Sequence, residues 1–254
     1  MASLYVLITG FGLPHWDHKL SILKKNLHTI HQHPWKNIKI TICQYTPRET
    51  HCIPKELIEQ YNLNIIYEPG IVGEFMHHYA KPELIAEYDY ILTILDDIEI
   101  LSFHWGKALQ YINDFDLDIL SPSLSRDSKF QYPYMIQDTD NNYSLKITTC
   151  CEYFCFLAKT IKFKKYYQHL DLENPWMWGI DLILRKHAGL TVAVLNCMVM
   201  KHWYKNESYS TALANPVKGF EKCMLKYNEN ADDLAKQIPI VYIIFDPMVV
   251  FRQP

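Results

Sequence analysis

Three acidic side chains follow an apolar run in the first half of the chain. Asp96, Asp97 and Glu99 come shortly after Tyr90–Leu95, whose β-branched and apolar residues are typical of a strand that is covered on both faces. Sheets of this kind bind ligands beyond the carboxyl ends of their strands, where carboxylates can hold a divalent cation. A short acidic cluster is more commonly a solvated turn, so the rest of the chain must decide between these two interpretations.

Two later residues could meet these acids. Asp181 stands at the start of a helix predicted over residues 182–187, and His202 follows a strand predicted over residues 191–200. Because the ends of neighbouring strands share one edge of a sheet, Glu99 and His202 could lie close together there. Each residue alone is a weak signal, since an aspartate stabilises a helix N-terminus without catalysis and a histidine is tolerated almost anywhere near a surface.

Alternating strands and helices position the acids. The predicted strands cover residues 4–9, 38–45 and 63–67, and the predicted helices include one with apolar residues Leu20, Leu23, Leu27 and Ile30, one that begins near residue 54, and two over residues 72–79 and 82–87. Strands that are each followed by helical material predict a parallel sheet with right-handed crossovers.

The pattern is less regular after the acids. We predict a helix over residues 105–112, a strand over 117–120, a long loop over 125–143, an extended segment over 145–158 and a helix over 161–170. The tail has a predicted helix over residues 217–227 and a predicted strand over 238–245. No repeat or low-complexity linker divides the chain, which favours one α/β domain with a central, mostly parallel (mixed) sheet flanked by helices.

The composition fits a globular protein and excludes several classes. The 254 residues are 49% hydrophobic, enough for a sizeable core, and a formal net charge of -3 gives no electrostatic footprint for nucleic acid. Seven cysteines without a Cys-x-x-Cys pair indicate a reducing compartment instead of a disulfide framework. The start has no basic leader and only a short apolar run, so we expect neither a signal peptide nor a membrane span, and a cytoplasmic location.

The ordered motifs resemble the GT-A class of nucleotide-sugar glycosyltransferases. That family places an Asp-x-Asp motif after a central strand, an acid at a helix start in the acceptor half, and often a late histidine as a metal ligand. The matching stretches are Leu95-Asp96-Asp97-Ile98-Glu99, Trp178-Gly179-Ile180-Asp181 and Met200-Lys201-His202. Together with Asp-Ile-Leu-Ser-Pro-Ser, they look like the glycosyltransferase domains of large algal viruses (chloroviruses) that decorate the major capsid protein. The similarity covers residues 1–205, with a donor half over 1–124 and an acceptor half over 125–205, and residues 206–254 are an appended helix and strand.

The resemblance implies a metal-dependent hexosyl- or pentosyltransferase. It would move a sugar from a nucleoside diphosphate donor, expected to be UDP, to a hydroxyl of a glycan or glycoprotein with inversion, in the host cytoplasm if the protein is viral. Mn²⁺ or Mg²⁺ would stabilise the leaving diphosphate, and an imidazole ligand tilts the choice toward Mn²⁺.

The resemblance also implies a role for each candidate residue. Asp181 would be the general base. The donor would be bound by Thr9, Gly10, Phe11, Tyr45 and Asp96, the metal by Asp97, Glu99 and His202, and the acceptor by Trp176, Trp178, Tyr132 and Tyr134. Glu99 replaces the last aspartate of the usual motif, which leaves two arrangements open. Either Asp97 and Glu99 hold the metal together, or Glu99 and His202 hold it while Asp96 and Asp97 serve the nucleotide.

Two other functions compete with this interpretation. A sugar nucleotidyltransferase calls for a glycine-rich phosphate loop with basic residues near the N-terminus, and residues 10–19 supply only Lys19. A non-catalytic carbohydrate-binding protein could keep the fold without turnover, although the presence of Asp97, Glu99, Asp181 and His202 argues against such a loss.

Overall fold

One mixed sheet runs through the computed structural model of the chain, which describes residues 1–129, 132–140, 143–204, 215–236 and 242–244. The strands are β1 (Ser3–Phe11), β2 (Asn37–Gln44), β3 (Leu63–Tyr67), β4 (Tyr90–Leu95), β5 (Ile98–Ser102), β6 (Ile119–Leu124), β7 (Leu145–Thr148), β8 (Cys155–Lys159), β9 (Val192–His202) and β10 (Tyr242–Ile244). The helices are α1 (Trp16–His31), α2 (Lys55–Tyr61), α3 (Val72–Tyr79), α4 (Pro82–Ile85), α5 (Trp105–Asp114), α6 (Thr160–Tyr167), α7 (Ile180–Ile183), α8 (Pro216–Tyr227) and α9 (Ala231–Lys236), with a 3-10 helix at Pro133–Met135.

The first half of the sheet is parallel, as its alternating pattern predicts. Strands β3, β2, β1 and β4 lie side by side in that order, and each neighbouring pair is parallel. Its central strand β1 is buried on both faces, and the apolar stripe of α1, including Leu23, Leu27 and Ile30, joins the same core. The acids that follow β4 therefore stand at the carboxyl edge of a buried parallel sheet.

The second half of the sheet is mixed. Strand β8 lies antiparallel between β4 and β6, and β9 runs parallel to β6 but antiparallel to β5 and β7. The extended segment predicted over residues 145–158 is two separate strands, because β7 ends at Thr148 and β8 begins at Cys155. The linker between them contains Glu152, a buried acid that interrupts the apolar pattern.

A bulge in β9 allows the end of this strand to lie beside the acids that follow β4. The β6–β9 register jumps from Pro122 opposite Leu195 to Ser123 opposite Val199, so residues 196–198 stand outside the ladder. Beyond the bulge, β9 also pairs with β5, where Ile98 lies opposite His202. Strand β5 is not predicted by the sequence pattern, and its pairing places the end of β9 beside the turn after β4.

The tail contributes to the same sheet. Strand β10 pairs antiparallel with β7, and α8 nearly coincides with the predicted helix over residues 217–227. The predicted strand over 238–245 is described only at 242–244, and the rest of it lies outside the described residues. Among the described helices, none is both long and apolar enough to cross a membrane.

Helix α8 packs tightly on the segment that precedes Asp181. Lys222 and Lys226 of α8 form ion pairs with Glu173 and Asp171, at 2.9 and 3.0 Å. Gly219 of α8 faces the side chain of Asn174, and Gly179 faces Met224 and Phe220 of the same helix, both without room for a Cβ atom. The tail therefore helps to fix the position of Asp181.

We expect Gly219→Ala to destabilise the protein by about 1–3 kcal/mol, the usual cost of overpacking. The new Cβ would lie 2.3 Å from Oδ1 of Asn174, and Asn174 is held because its Nδ2 donates a 2.8 Å hydrogen bond to the Trp178 carbonyl. This overlap outweighs the gain of about 1 kcal/mol that alanine has over glycine inside a helix. Urea denaturation measures the change in the free energy of unfolding.

Gly106→Ala is the matched control for this substitution. Gly106 is also helical, in α5, but nothing lies within 4 Å of a Cβ built there. Alanine should therefore be neutral at this position or stabilise by up to about 1 kcal/mol. Equal effects of the two substitutions would contradict the tight packing of α8 against Asn174.

Candidate active site

Asp97 and His202 meet at the carboxyl edge of the sheet. Asp97 lies in the turn between β4 and β5, and its Oδ2 is 3.0 Å from Nε2 of His202, the last residue of β9. The backbone N–H of Trp203 donates to the Asp97 carbonyl at 3.1 Å, and the backbone N–H of His202 donates to Oγ of Ser128 at 3.1 Å. These bonds fix both side chains, which the sequence places 105 residues apart.

This pair fits a metal site that the substrate completes. Among the described residues, no three His, Cys, Asp or Glu side chains group closely enough to hold a metal ion by themselves. A carboxylate and an imidazole nevertheless suit Mn²⁺. Ions at phosphate-transfer sites commonly take one or two protein ligands and fill their remaining positions with substrate phosphate oxygens and water. Asp97 and His202 would be those protein ligands.

Among the described residues, Glu99 does not form one metal-binding group with Asp97 and His202. In the β5–β9 ladder, Ile98 lies opposite His202 and Glu99 opposite Lys201. Residues directly opposite share a face and successive residues alternate, so Glu99 and His202 point to opposite faces of the sheet.

The carboxylate of Glu99 has structural partners instead. Its Oε1 is 2.6 Å from Nζ of Lys25 on α1, and its Oε2 accepts a 2.7 Å hydrogen bond from the Trp203 indole. Glu99 is buried, and both of its oxygens are engaged. It therefore ties α1 to the residue that follows His202.

Asp96 is paired with a buried lysine. Nζ of Lys19 lies 2.6 Å from Oδ2 of Asp96 and donates to the Gly12 carbonyl at 3.0 Å. The Gly12 backbone N–H donates to the same Asp96 oxygen at 3.3 Å. Burial raises the pKa of Asp96 to about 7, although the Lys19 charge acts in the opposite direction. Asp96 thus joins the turn after β1 to the turn after β4, a structural role for Lys19 that the sequence analysis did not identify.

We expect Lys19→Met to destabilise the protein by about 3–5 kcal/mol, because it leaves Asp96 buried without its counter-charge. Thermal and urea unfolding measure the loss. The control is Lys24→Met on the same helix, where the lysine is exposed and the change should stay within about 0.5 kcal/mol. A loss at Lys19 no larger than at Lys24 would show that the buried pair does not stabilise the fold.

The residues predicted to bind the donor differ in how accessible they are at this edge of the sheet. The Thr9 side chain is buried, and the Phe11 side chain is fully buried with its ring edge-on to Trp16, so neither side chain is available to a nucleoside. Gly10 has a φ of 75°, in the left-handed region, and a Cβ built on it would stand 3.9 Å from Oδ1 of Asp96. Tyr45 is half-buried, and its hydroxyl donates to the Leu13 carbonyl. Of these four residues, Gly10 and Tyr45 are therefore the two that remain partly accessible to a ligand.

Asp181 forms a hydrogen-bonded pair with another buried acid, Glu152. Asp181 lies in the first turn of α7, after Gly179 with a φ of 84°. Burial raises the pKa of Asp181 to about 6, against hydrogen bonds from Glu152 and from backbone groups that favour the charged form. Burial and the Asp181 charge raise the pKa of Glu152 well above its usual range. Burial therefore disfavours the charged form of both carboxyl groups.

Two tyrosines of the long loop lie beside this acid pair. The Tyr134 hydroxyl donates to Oε1 of Glu152 at 3.3 Å, and the ring centroids of Tyr132 and Tyr134 are 5.6 Å apart. Trp176 and Trp178 are half-buried in the segment before Asp181. The structure thus brings Tyr132 and Tyr134, predicted to bind the acceptor, to the predicted base.

Glu152 is the site residue that the sequence analysis missed. It stands in the run Cys150-Cys151-Glu152-Tyr153-Phe154-Cys155-Phe156. A lone acid within an apolar run is expensive to bury unless it has a partner, so its position is the signal that could have identified it.

The mixed sheet flanked by helices matches the fold of GT-A glycosyltransferases and confirms the predicted fold class. The chain is similar to GalNAc-T7, solved with UDP, GalNAc and Mn²⁺, at a TM-score of 0.62 and 10% identity over 88% of this chain and 48% of that chain. It is also similar to S. aureus TarS, solved with UDP-GlcNAc, at a TM-score of 0.56 and 11% identity over 87% of this chain and 64% of that chain.

No protein-family model and no curated protein sequence matches the chain significantly. The chain spans less than two thirds of the length of these similar structures. At such low identity the likeness shows the fold, so the activity must be argued from the site.

Proposed function

We propose that this protein is a metal-dependent glycosyltransferase that moves a sugar from a nucleoside diphosphate donor to a hydroxyl of a glycan or glycoprotein, with inversion. The observation that carries the proposal is the meeting of Asp97 and His202 at the carboxyl end of β4. On a GT-A fold, this edge is where a ligand binds at the ends of the strands. UDP is the favoured nucleotide, because the similar GalNAc-T7 and TarS structures were solved with UDP and UDP-GlcNAc.

Asp97 and His202 would hold Mn²⁺ or Mg²⁺ against the donor diphosphate. When bound, the cation would stabilise the negative charge that develops on the leaving diphosphate. Asp96 and Lys19 keep the turn that carries Asp97 in place, and Gly10 and Tyr45 offer the open surface beside it. This arrangement separates nucleotide binding from the chemistry at Asp181.

Asp181 would accept the proton of the attacking hydroxyl. Inversion requires a base on the face of the sugar opposite the leaving group, and a base with a pKa of about 6 is largely ionised at neutral pH. Tyr132, Tyr134, Trp176 and Trp178 would bind the acceptor, because aromatic rings stack on the apolar faces of sugars. Tyr134 already contacts Glu152, the hydrogen-bond partner of Asp181.

The competing functions have weaker support. A nucleotidyltransferase needs basic side chains that reach phosphate, but Lys19 is buried and directed at Asp96 and the Gly12 carbonyl. A non-catalytic protein has no use for two coupled acids in the interior, because an ionised buried carboxyl lowers stability. The transferase interpretation explains both features.

The sequence motifs extend the proposal to the kind of acceptor and to the cellular compartment. Their resemblance to the capsid-decorating enzymes of chloroviruses leads us to propose a hexosyl or pentosyl transfer to a viral glycoprotein, in the host cytoplasm. Residues 1–124 would serve the donor and residues 125–205 the acceptor, with residues 206–254 appended.

Thermal-shift measurements with UDP, GDP and UDP-sugars, each with and without Mn²⁺, test the proposal. A nucleotide that binds only the folded protein, at about 100 times its dissociation constant, should raise the melting temperature by roughly 5–10 °C. We expect the shift for UDP to depend on Mn²⁺. If no diphosphate stabilises the protein under either condition, the proposed function is wrong.

A further inference from the structure

The imidazole of His202 packs against an aromatic ring as well as meeting Asp97. Its Nε2 lies 3.0 Å from Oδ2 of Asp97, and the ring centroids of His202 and Phe154 are 4.5 Å apart, with the ring planes at 58°. The torsion that turns an imidazole about its bond to Cβ has broad minima, and a ring packed against the imidazole narrows them. The orientation of the His202 ring therefore depends on Phe154 as well as on Asp97.

Phe154 is itself fixed by the strand that leads to the acids. The backbone N–H of Leu95, the last residue of β4, donates to the Phe154 carbonyl at 2.9 Å. Phe154 is 5% exposed, and its ring also contacts Tyr153 and Tyr132, with centroids 5.4 and 6.1 Å away. The ring therefore has little freedom to move, and its position is tied to the strand end that precedes Asp97.

A histidine that binds a metal must present its ring nitrogen in one direction. Removal of a residue that orients a metal ligand typically lowers metal affinity by about 10- to 100-fold. The phenyl ring of Phe154 offers no ligand atom. Any effect of Phe154 on metal binding must therefore act through the side chains that it touches, and His202 is the one of these that could bind a metal.

We propose that Phe154 is a positioning residue of the metal site, whose ring holds the imidazole of His202 in the orientation that presents Nε2 toward Asp97 and the cation. The role toward a metal rests on the proposed function. The hold on the His202 ring is a property of the metal-free chain, so it can be examined without nucleotide or turnover.

The first test measures UDP binding by calorimetry at limiting and at saturating Mn²⁺, in wild type and in Phe154→Leu. Leucine keeps the position apolar but removes the ring that packs against His202. We expect the dissociation constant for UDP to rise at least about tenfold at limiting Mn²⁺ and to approach the wild-type value at saturating Mn²⁺. An unchanged dependence on Mn²⁺ would overturn the proposal.

Phe163→Leu is the matched control. Phe163 is fully buried on α6, and its ring contacts Phe156 and Tyr166, with centroids 6.2 and 5.4 Å away. This substitution also removes a ring from the core, so it should lower the melting temperature but leave the Mn²⁺ dependence of UDP binding unchanged. Equal effects of the two substitutions on that dependence would assign the loss to general destabilisation and refute the positioning role.

The second test compares crystal structures of the metal-free wild type and Phe154→Leu. We expect the imidazole of His202 to leave its wild-type plane, or to occupy two orientations, once the ring beside it is gone. An imidazole that keeps its plane and its contact with Asp97 in the variant would show that Phe154 does not hold it. Phe154→Met, which is closer in volume to the wild type and also has no ring, serves both tests if the leucine variant does not fold.

The two tests separate this inference from the proposed function. If wild type binds no diphosphate in the presence of Mn²⁺ while the His202 ring turns in the variant, the hold on the imidazole is retained and the proposed function fails. If UDP binding depends on Mn²⁺ but the leucine variant has the wild-type Mn²⁺ requirement, the function stands and the role of Phe154 is wrong.

Discussion

Asp181→Asn is expected to lower the rate of sugar transfer by about 10³-fold while leaving donor affinity unchanged, since a positioned general base typically contributes 10²–10⁴-fold. Asparagine keeps the size of the side chain but cannot accept the proton of the acceptor hydroxyl. The proposed donor site at Asp97 and His202 lies on other elements, β9 and the turn after β4. The measurement is kcat and the donor KM with a UDP-sugar and Mn²⁺.

The pH profile gives a second signature of the same base. Asp181 must be ionised to act, and its pKa is raised by burial to about 6. Transfer by wild type should therefore rise with pH up to about pH 6 and then level off, with an acidic limb that is absent from the residual activity of Asp181→Asn. An acidic limb that persists in the variant would belong to another group.

A matched control distinguishes catalysis from helix stabilisation. Asp232 also lies in the first turn of a helix, α9, but it is exposed. Asp232→Asn removes the same charge at a helix N-terminus, which is worth about 0.3–1 kcal/mol of stability, and should leave transfer unchanged. Full transfer by Asp181→Asn would remove Asp181 as the base, whatever its effect on the melting temperature.

Local sequence patterns predict the first half of the fold well, because β1, β2 and β3 are neighbours both in the sheet and along the chain, and β4 joins on the other side of β1. The predicted strand over residues 63–67 coincides with β3, β1 extends its predicted range of 4–9 by a few residues, and β2 is shifted by one residue from its predicted range of 38–45. Strands β1 and β4 are buried over almost their whole length, and β1, β2 and β3 are each followed by a helix that contributes buried residues, so pattern and packing agree.

Pairing between distant strands is what local patterns cannot predict. Strand β5 pairs with β9, about a hundred residues later, and this register alone decides that Glu99 points away from His202. Local patterns suggest that the acids and His202 share one edge of the sheet, but they do not show the orientation of Glu99. Its two oxygens are engaged by Lys25 and Trp203, partners that only the folded structure brings together.

The acid pair depends on contacts between three separate segments. Glu152 lies in the linker before β8, Asp181 on α7 and Tyr134 at the 3-10 helix. The position of Glu152 within an apolar run is visible in the sequence, but its partner is not. The packing of α8 against Asn174 and Gly179 is likewise invisible to a local pattern, because it depends on where a late helix docks.

His202→Ala and Asp97→Asn should each abolish the Mn²⁺-dependent part of the stabilisation by UDP. No other side chain can replace either of the two protein ligands, because the described residues offer no third ligand in the same group. Loss of either one should weaken metal-dependent donor binding by at least about 100-fold, or about 2.7 kcal/mol. Titration of UDP at fixed Mn²⁺, followed by thermal shift and calorimetry, measures the loss.

Glu99→Gln is the control that separates the metal site proposed from the structure, with Asp97 and His202, from one that includes Glu99. The substitution weakens the contact with Lys25 and should lower the melting temperature of the free protein. The shift caused by UDP with Mn²⁺ should nevertheless persist, because Glu99 points to the opposite face of the sheet from His202. If Glu99→Gln loses the metal-dependent shift as completely as His202→Ala does, then Glu99 is a ligand after all. The β5–β9 register would then have to change when the donor binds.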